Sequence, residues 1–499
     1  MPWNSSRAIL AAGALWLAAS PAVAAGAPPG AGLPSVQSRD FGQASKAAPV
    51  GSRLRLEDIQ VAETGEAVAF VLERFEVFAA DARITIHGRR GETVVPAPAN
   101  AYFRGGVDGR PESHVFLARL ADGTVQGLVS AEGEMYLIGG DGPEAKALGA
   151  GPIEMHRIDP VALRAARGQG FTCANEQLPG GHGHWAGLDL TGLAASGPAP
   201  AEKAATSAAA YAARVAIETD FEFYQRFNNT TTATNYVGNL IGYASSIYTA
   251  EINTSLIVQS VSLWTTSSDP WGQTSTVCGL MEFGRYWNLN RTGVSRTIAH
   301  FMSGKSLGGG IAWLGVLCTG AFGASANCPG LPTDASWGGG YGFTANISGS
   351  FNITNPTAVW DIVAVSHEIG HNFNSPHSHC YNGIGGSSSP VDQCYSGESG
   401  CYAGTQSLPG PAGAGSGTIM SYCHLLSPGM SNISLTFGTS HAYGVLPGRV
   451  PSRMSTHVVS RATSNPSCLA PPVGSSPGIF GDGFEGGLLP GAWNGGKTP

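Results

Sequence analysis

The chain has 499 residues, a formal charge of −7, only 12% charged residues and 71 glycines. A length of that order leaves room for roughly two to four domains, each with a real core. So small a charge on so long a chain, with no basic patch, excludes nucleic acid as a partner class, and solvation must fall largely to Ser, Thr, Asn and Gly.

In chain order, residues 1–24 have the pattern of a secretory signal: Arg7, an apolar run, then Ala22-Val23-Ala24 as a cleavage site. The apolar run is too short to span a bilayer comfortably, so export without a stable membrane anchor is expected. Residues 25–50 are Ala, Gly, Pro and Ser with little periodicity and predict a flexible leader. From 51 to 175, short alternating apolar runs separated by Gly, Asp and Pro predict strands, with Asp122-Gly123 and Glu132-Gly133 as hairpin turns. Residues 176–210 are a low-complexity linker of the kind proteases cut.

From Tyr211 the pattern changes. A strand, a long helix carrying Val237, Leu240, Ile241, Ala244, Ile247 and Tyr248 at helical spacing, a second strand and a helix near 276–290 predict a crossover arrangement. RTIAHFM and GGGIAWLGVLC read as further strands, His300 among them as a core histidine. The fold class is therefore α/β, mixed, behind a β-rich N-terminal domain, with the main domain at 211–468 and a linker and short tail at 469–499. The nine cysteines fit an oxidising compartment. Eight lie from Cys278 onward and can pair completely; Cys173 is left over, and sequence does not choose among the pairings.

The most informative stretch is HEIGHNFNSPH, residues 367–377. A helix turns about 100° per residue, so His367 and His371 stand one above the other and offer two imidazoles to one point, a geometry suited to one Zn²⁺. Glu368 leans toward the same cleft but too far round the helix to be an equal ligand, which suits a general base. A third histidine, His377, can return to the metal if the helix stops and the chain turns sharply, which calls for a left-handed residue at Asn374; Pro376 forbids further helix. Asn355 and Pro356 read as N-cap and first helical residue.

These residues, with GTIMSYC at 417–423, resemble the metzincin zinc endopeptidases, and the stretch 102–138 is similar to the propeptides of the reprolysin (adamalysin-like) branch. The resemblance implies a twisted mixed sheet, a zinc helix at the floor of a cleft and a small disulfide-bonded C-terminal subdomain. It makes Met420 the methionine of the turn beneath the metal, Tyr422 a candidate for steadying the oxyanion, and 338–349 an antiparallel edge strand on which extended polypeptide would pair. Cys173, in GFTCANEQLP, would be a switch that caps the metal and keeps a zymogen silent, the propeptide acting as inhibitor. His379 and His424 flank the motifs and read as surface residues or as groups behind the ligands. A secreted monomeric zinc endopeptidase is expected; calcium binding is not legible. Two other readings are an inactive binding or adhesion protein on the same fold and a zinc hydrolase of a non-protein or cell-wall cross-link.

Overall fold

Apolar residues at alternate positions along a strand share one face, and from residue 53 onward they curl a sheet closed around them. A computed structural model describes residues 32–139, 152–165, 171–178, 209–332 and 337–469. The expected signal sequence, most of the expected linker and nearly all of the expected C-terminal tail lie outside the described residues. Strand Arg53–Val61 pairs antiparallel with Ala67–Phe75 on one side and parallel with Glu154–Arg157 on the other; Ala101–Val107, His114–Arg119, Val125–Ala131 and Glu134–Ile138 complete the ring. Leu54, Leu56, Phe70, Phe103, Leu117 and Val129 fill it.

Two expectations change here. Part of the 25–50 leader is ordered: Ser35–Gln37 pairs with Arg53–Val61, and helix Phe41–Ala47 inserts Phe41 edge-on against Phe103 at 5.1 Å. Phe41 in the ring's core, the strand pairing and the Arg74 guanidinium donating to Ser45 O at 3.0 Å together hold a stretch otherwise poor in apolar residues. The 51–175 region is also not one self-contained unit, because its hairpin Phe78–Gly88 and Gly91–Pro96 leaves the ring and joins the second sheet.

That second sheet runs Thr172–Cys173, Gly309–Ala312, Tyr341–Thr344, Ile298–Met302, Tyr211–Thr219, Thr254–Trp264, then the hairpin. Its central strands are parallel, as the crossover through helix Thr230–Ile252 requires. Gly309–Ala312 runs antiparallel to Tyr341–Thr344, so the strand within 338–349 is interior and Gly309–Ala312 lies outside it; this corrects the edge assignment. Period-two alternation sends Val215 and Ile217 to one face, under helix 230–252, and Ala216 to the other, under helix Thr276–Asn290. Helix Ala358–Asn372 packs beside helix 230–252.

The eight later cysteines pair as Cys278–Cys328, Cys318–Cys468, Cys380–Cys401 and Cys394–Cys423, and Cys173 is free and buried. The last two bridges staple the Gly- and Ser-rich lobe after the histidine helix, as expected. Helix Arg449–Ser464, not read from the sequence, packs Val450, Met454 and Val458 inward. No helix among the described residues is long and apolar enough to cross a membrane.

Candidate metal centre

The histidine helix begins at Ala358 after Thr357, not at Pro356. Asn355 is instead tied back in a bridge to Asn352, and the first turn's Asp361 accepts hydrogen bonds from Ser348 N (2.9 Å), Gly349 N (3.1 Å) and Tyr236 Oη (2.6 Å). An acidic group there also suits the positive end of the helix. At the other end Asn374 takes φ +76°, the left-handed turn the motif calls for. Arg453, from the C-terminal helix, holds that turn by donating to Asn374 O and, at 3.1 Å, to its Oδ1.

The turn brings His377 back to His367 and His371, and Cys173 arrives from the opposite side. One ligand atom from each of these four buried residues lies within 4.8 Å of the others. His367 Nδ1 meets Ile419 O at 2.7 Å, His371 Nδ1 meets Ser375 O at 2.7 Å, and His377 Nδ1 meets a Glu398 oxygen at 2.6 Å. All three partners are acceptors only, so each Nδ1 carries the proton and each Nε2 turns a bare lone pair inward. The Nε2 atoms of His367 and His371 are 3.1 Å apart with no proton between them, and His377 Nε2 is buried without a hydrogen-bond partner. Burial and the neighbouring imidazoles push His367 well below its ordinary pKa, and burial pushes His371 down to about 3, so these rings stay neutral. Three inward nitrogens and a thiol sulfur are a donor set that fits a tetrahedral zinc ion.

The remaining predicted residues fall around this point. Glu368 is fully buried; its Oε2 takes a hydrogen bond from Cys173 Sγ at 3.4 Å and its Oε1 has no partner. Burial drives its carboxyl well above the usual range. Met420 is fully buried under the helix, where a Cβ on Gly370 would meet its sulfur at 2.6 Å, so the glycine inside HEIGH is what lets the methionine turn approach. Tyr422 Oη is 2.8 Å from both the N and the O of Cys173, so here it grips the incoming strand. His379 and His424 are buried, not on the surface; His379 Nε2 sits 2.7 Å from Glu398, and His424 Nε2 donates to Phe171 O at 2.7 Å. His300 is a core histidine, bonded to Thr344 Oγ1 at 2.9 Å and pushed by burial to about 3.

Three functional contacts escaped the sequence reading. Glu398, three residues before Cys401, is a carboxylate shared by His377 and His379; burial alone would raise its pKa, but the two imidazoles hold it well below the usual range. Asn175 Oδ1 accepts from Ala312 N (2.9 Å) and lies 3.1 Å from the Cys173 sulfur, whose single proton it shares with Glu368, clipping the cysteine to the edge strand. At Gly310 a Cβ would strike the Glu368 carboxylate at 2.3 Å, and at Gly309 it would strike Thr172 O at 1.7 Å, so this strand tolerates no side chain at either position. Two other groups of potential ligands, around Cys380 and around Cys394, have their cysteines locked in disulfides.

Residues 209–434 match the reprolysin-type model of metallo-peptidase family M12. The match spans a little under half of the chain. The matched metallopeptidase region contains the three histidines, Glu368 and Met420, while Cys173 and the ring of strands precede it and helix 449–464 follows it. Among solved structures, the chain is similar to metalloproteinase-II from Bacteroides fragilis, at 10% identity over 69% of this chain and 88% of that one, with a TM-score of 0.31. No curated protein sequence matches it.

Proposed function

We propose that the chain is a secreted, zinc-dependent endopeptidase held latent by its own N-terminal region. The observation that carries this reading is the position of Cys173: its sulfur lies 3.5 Å from His371 Nε2 and 3.4 Å from Glu368, in the space that an attacking water and a scissile carbonyl would need. His367, His371 and His377 would hold zinc through their Nε2 atoms, with Cys173 as fourth ligand in the latent form. Zinc there supplies Lewis acidity, which acidifies water and polarises a carbonyl.

The chain's own groups do the rest. Glu368 takes a proton from water as it attacks and passes it to the departing amine. With Cys173 seated, burial holds that carboxyl's pKa well above the usual range; admitting water to the cleft relieves the burial and favours the ionised base. Strand Gly309–Ala312 is the natural platform for an extended polypeptide, because Thr172–Cys173 already pairs with it in register, Cys173 opposite Gly310. The pro-segment lies parallel to that strand. Once the segment has left, Tyr422 Oη, relieved of the Cys173 backbone, becomes free to donate to a developing oxyanion.

The test uses the full-length chain on casein. Cys173→Ala should digest it without prior processing, a chelator should stop that digestion, and the unaltered precursor should be silent. A silent Cys173→Ala chain that still binds zinc would remove the latency role, and digestion indifferent to chelator would remove the zinc role.

A further inference from the structure

Where the N-terminal region meets the catalytic domain, the two edges of the sheet differ sharply in character. At one edge of the sheet, Thr172–Cys173 pairs with Gly309–Gly310 through two register positions beside the cleft. At the other edge, the hairpin strand Phe78–Gly88 pairs parallel with Thr254–Trp264 from Val258 to Trp264, ending in His87 stacked flat on Trp264 at 3.9 Å. Between the edges, the ring's outer face lies along helix 230–252. Asn235, Gly238, Asn239, Gly242, Tyr243 and Thr249 lie along one side of that helix, linked by steps of three, four and seven residues (235, 238, 242, 249 and 235, 239, 243).

Each member of the stripe has a partner in the ring or hairpin. Asn235 takes Asn100 at 2.9 Å, Asn239 donates to Gln126 at 2.8 Å, Thr249 takes Arg104 at 2.8 Å, and Tyr243 meets Phe116 edge-on at 5.9 Å. The glycines let the backbones close: a Cβ at Gly238 would meet Tyr102 Oη at 2.4 Å and Phe78 at 2.8 Å, and one at Gly242 would meet Phe116 at 2.6 Å. The ring's strands show the same thing from their side. Phe103, Leu117 and Val129 point into the ring while Tyr102, Phe116 and Leu128 point out into the catalytic core. Stripped of the ring and its hairpin, helix 230–252 would turn this stripe to water, and strand 254–264 would become an open edge.

We propose that the ring and its hairpin are a retained subunit: once the chain is cut between residues 178 and 209, they stay bound to the catalytic domain through this stripe and the far sheet edge, independently of Cys173. The interface has the continuous apolar core and strand pairing of a permanent one, whereas the cleft contact is short and can be displaced alone. This inference stands apart from the proposed chemistry, since it concerns association and not turnover.

The experiment introduces a site for a specific protease within 179–208 of the Glu368→Gln chain, so that no self-cleavage intervenes, cuts it, and follows both fragments by gel filtration. At roughly micromolar concentration, where a pair with a micromolar or tighter Kd stays largely together, the fragments should co-elute at the mass of the uncut chain. Adding Cys173→Ala and stripping metal should leave co-elution unchanged. Adding Gly238→Leu with Gly242→Leu should release the N-terminal fragment after cutting. Separate elution of the parent fragments overturns the proposal, as does release by Cys173→Ala, which would put the hold at the cleft, or co-elution that survives both leucines.

Discussion

Among the described residues the two sheets each contain eight strands, yet they treat their edges in opposite ways. Seven strands of the first close into a ring around hydrocarbon, with Arg53–Val61 paired on both sides. The second stays open, and both its ends are taken by chain from before residue 209: the hairpin 78–96 at one and Thr172–Cys173 at the other. A closed sheet has spent its hydrogen-bonding groups on itself and can only be stable, whereas an open one keeps a row of donors and acceptors for another strand. In this chain the metal centre lies beside one such edge, where Gly310 presses on Glu368 and Asn175 clips Cys173 down. On the proposed reading, catalysis and its control belong to the open sheet; the ring contributes mass and apolar surface.

That division can be broken by mutation. The largest effect should come from Glu368→Gln beside the open edge, which keeps the helix and its histidines but removes the proposed base: turnover of a peptide by the processed protein should fall about 10²- to 10⁴-fold with metal content unchanged. In the ring, Phe41→Ala empties a fully buried aromatic site, and denaturant titration should show a loss of about 3–5 kcal/mol with zinc affinity untouched. Next, Glu398→Ala removes the carboxylate that orients His377 from within the Cys380–Cys401 loop, and competition against a chelating dye should show zinc held about 10- to 100-fold more weakly, Glu398→Gln recovering part of it.

The smallest effect is a pH slope. The ring's filling is apolar, but the open sheet buries Glu218, whose oxygens accept from Trp264 Nε1 at 2.7 Å and Trp287 Nε1 at 3.0 Å. Burial raises its pKa to about 8. Between its unfolded value, about 4.5, and about 8 the native state therefore holds a proton that the unfolded chain has released, so stability falls as pH rises through that window. Glu218→Gln should flatten part of that fall in melting temperature, and an unchanged slope would assign it to other groups.

Much of the geometry of the candidate metal centre was legible because its logic is local. HEIGHNFNSPH places three imidazoles by helix pitch and one turn, and Asn374 takes the positive φ that the spacing demands. The order of strands and helices from 211 to 290 follows from periodicity for the same reason. What escaped depends on partners far away in the chain. HVFLAR at 114–119 is apolar on both faces, which signals burial on both sides, yet nothing in it says that the second partner is a helix more than a hundred residues later. The hairpin 78–96 looks like its neighbours and pairs elsewhere. Glu398 is one carboxylate in a polar loop until the disulfide to Cys380 brings it against His377.

The most direct test of the account is zinc K-edge X-ray absorption on the intact, zinc-loaded chain. A first shell of three imidazole nitrogens and one sulfur, the sulfur at about 2.3 Å, is the predicted result, with the sulfur lost in Cys173→Ala. A shell without sulfur in the unaltered chain, or with fewer than three imidazoles, would contradict it.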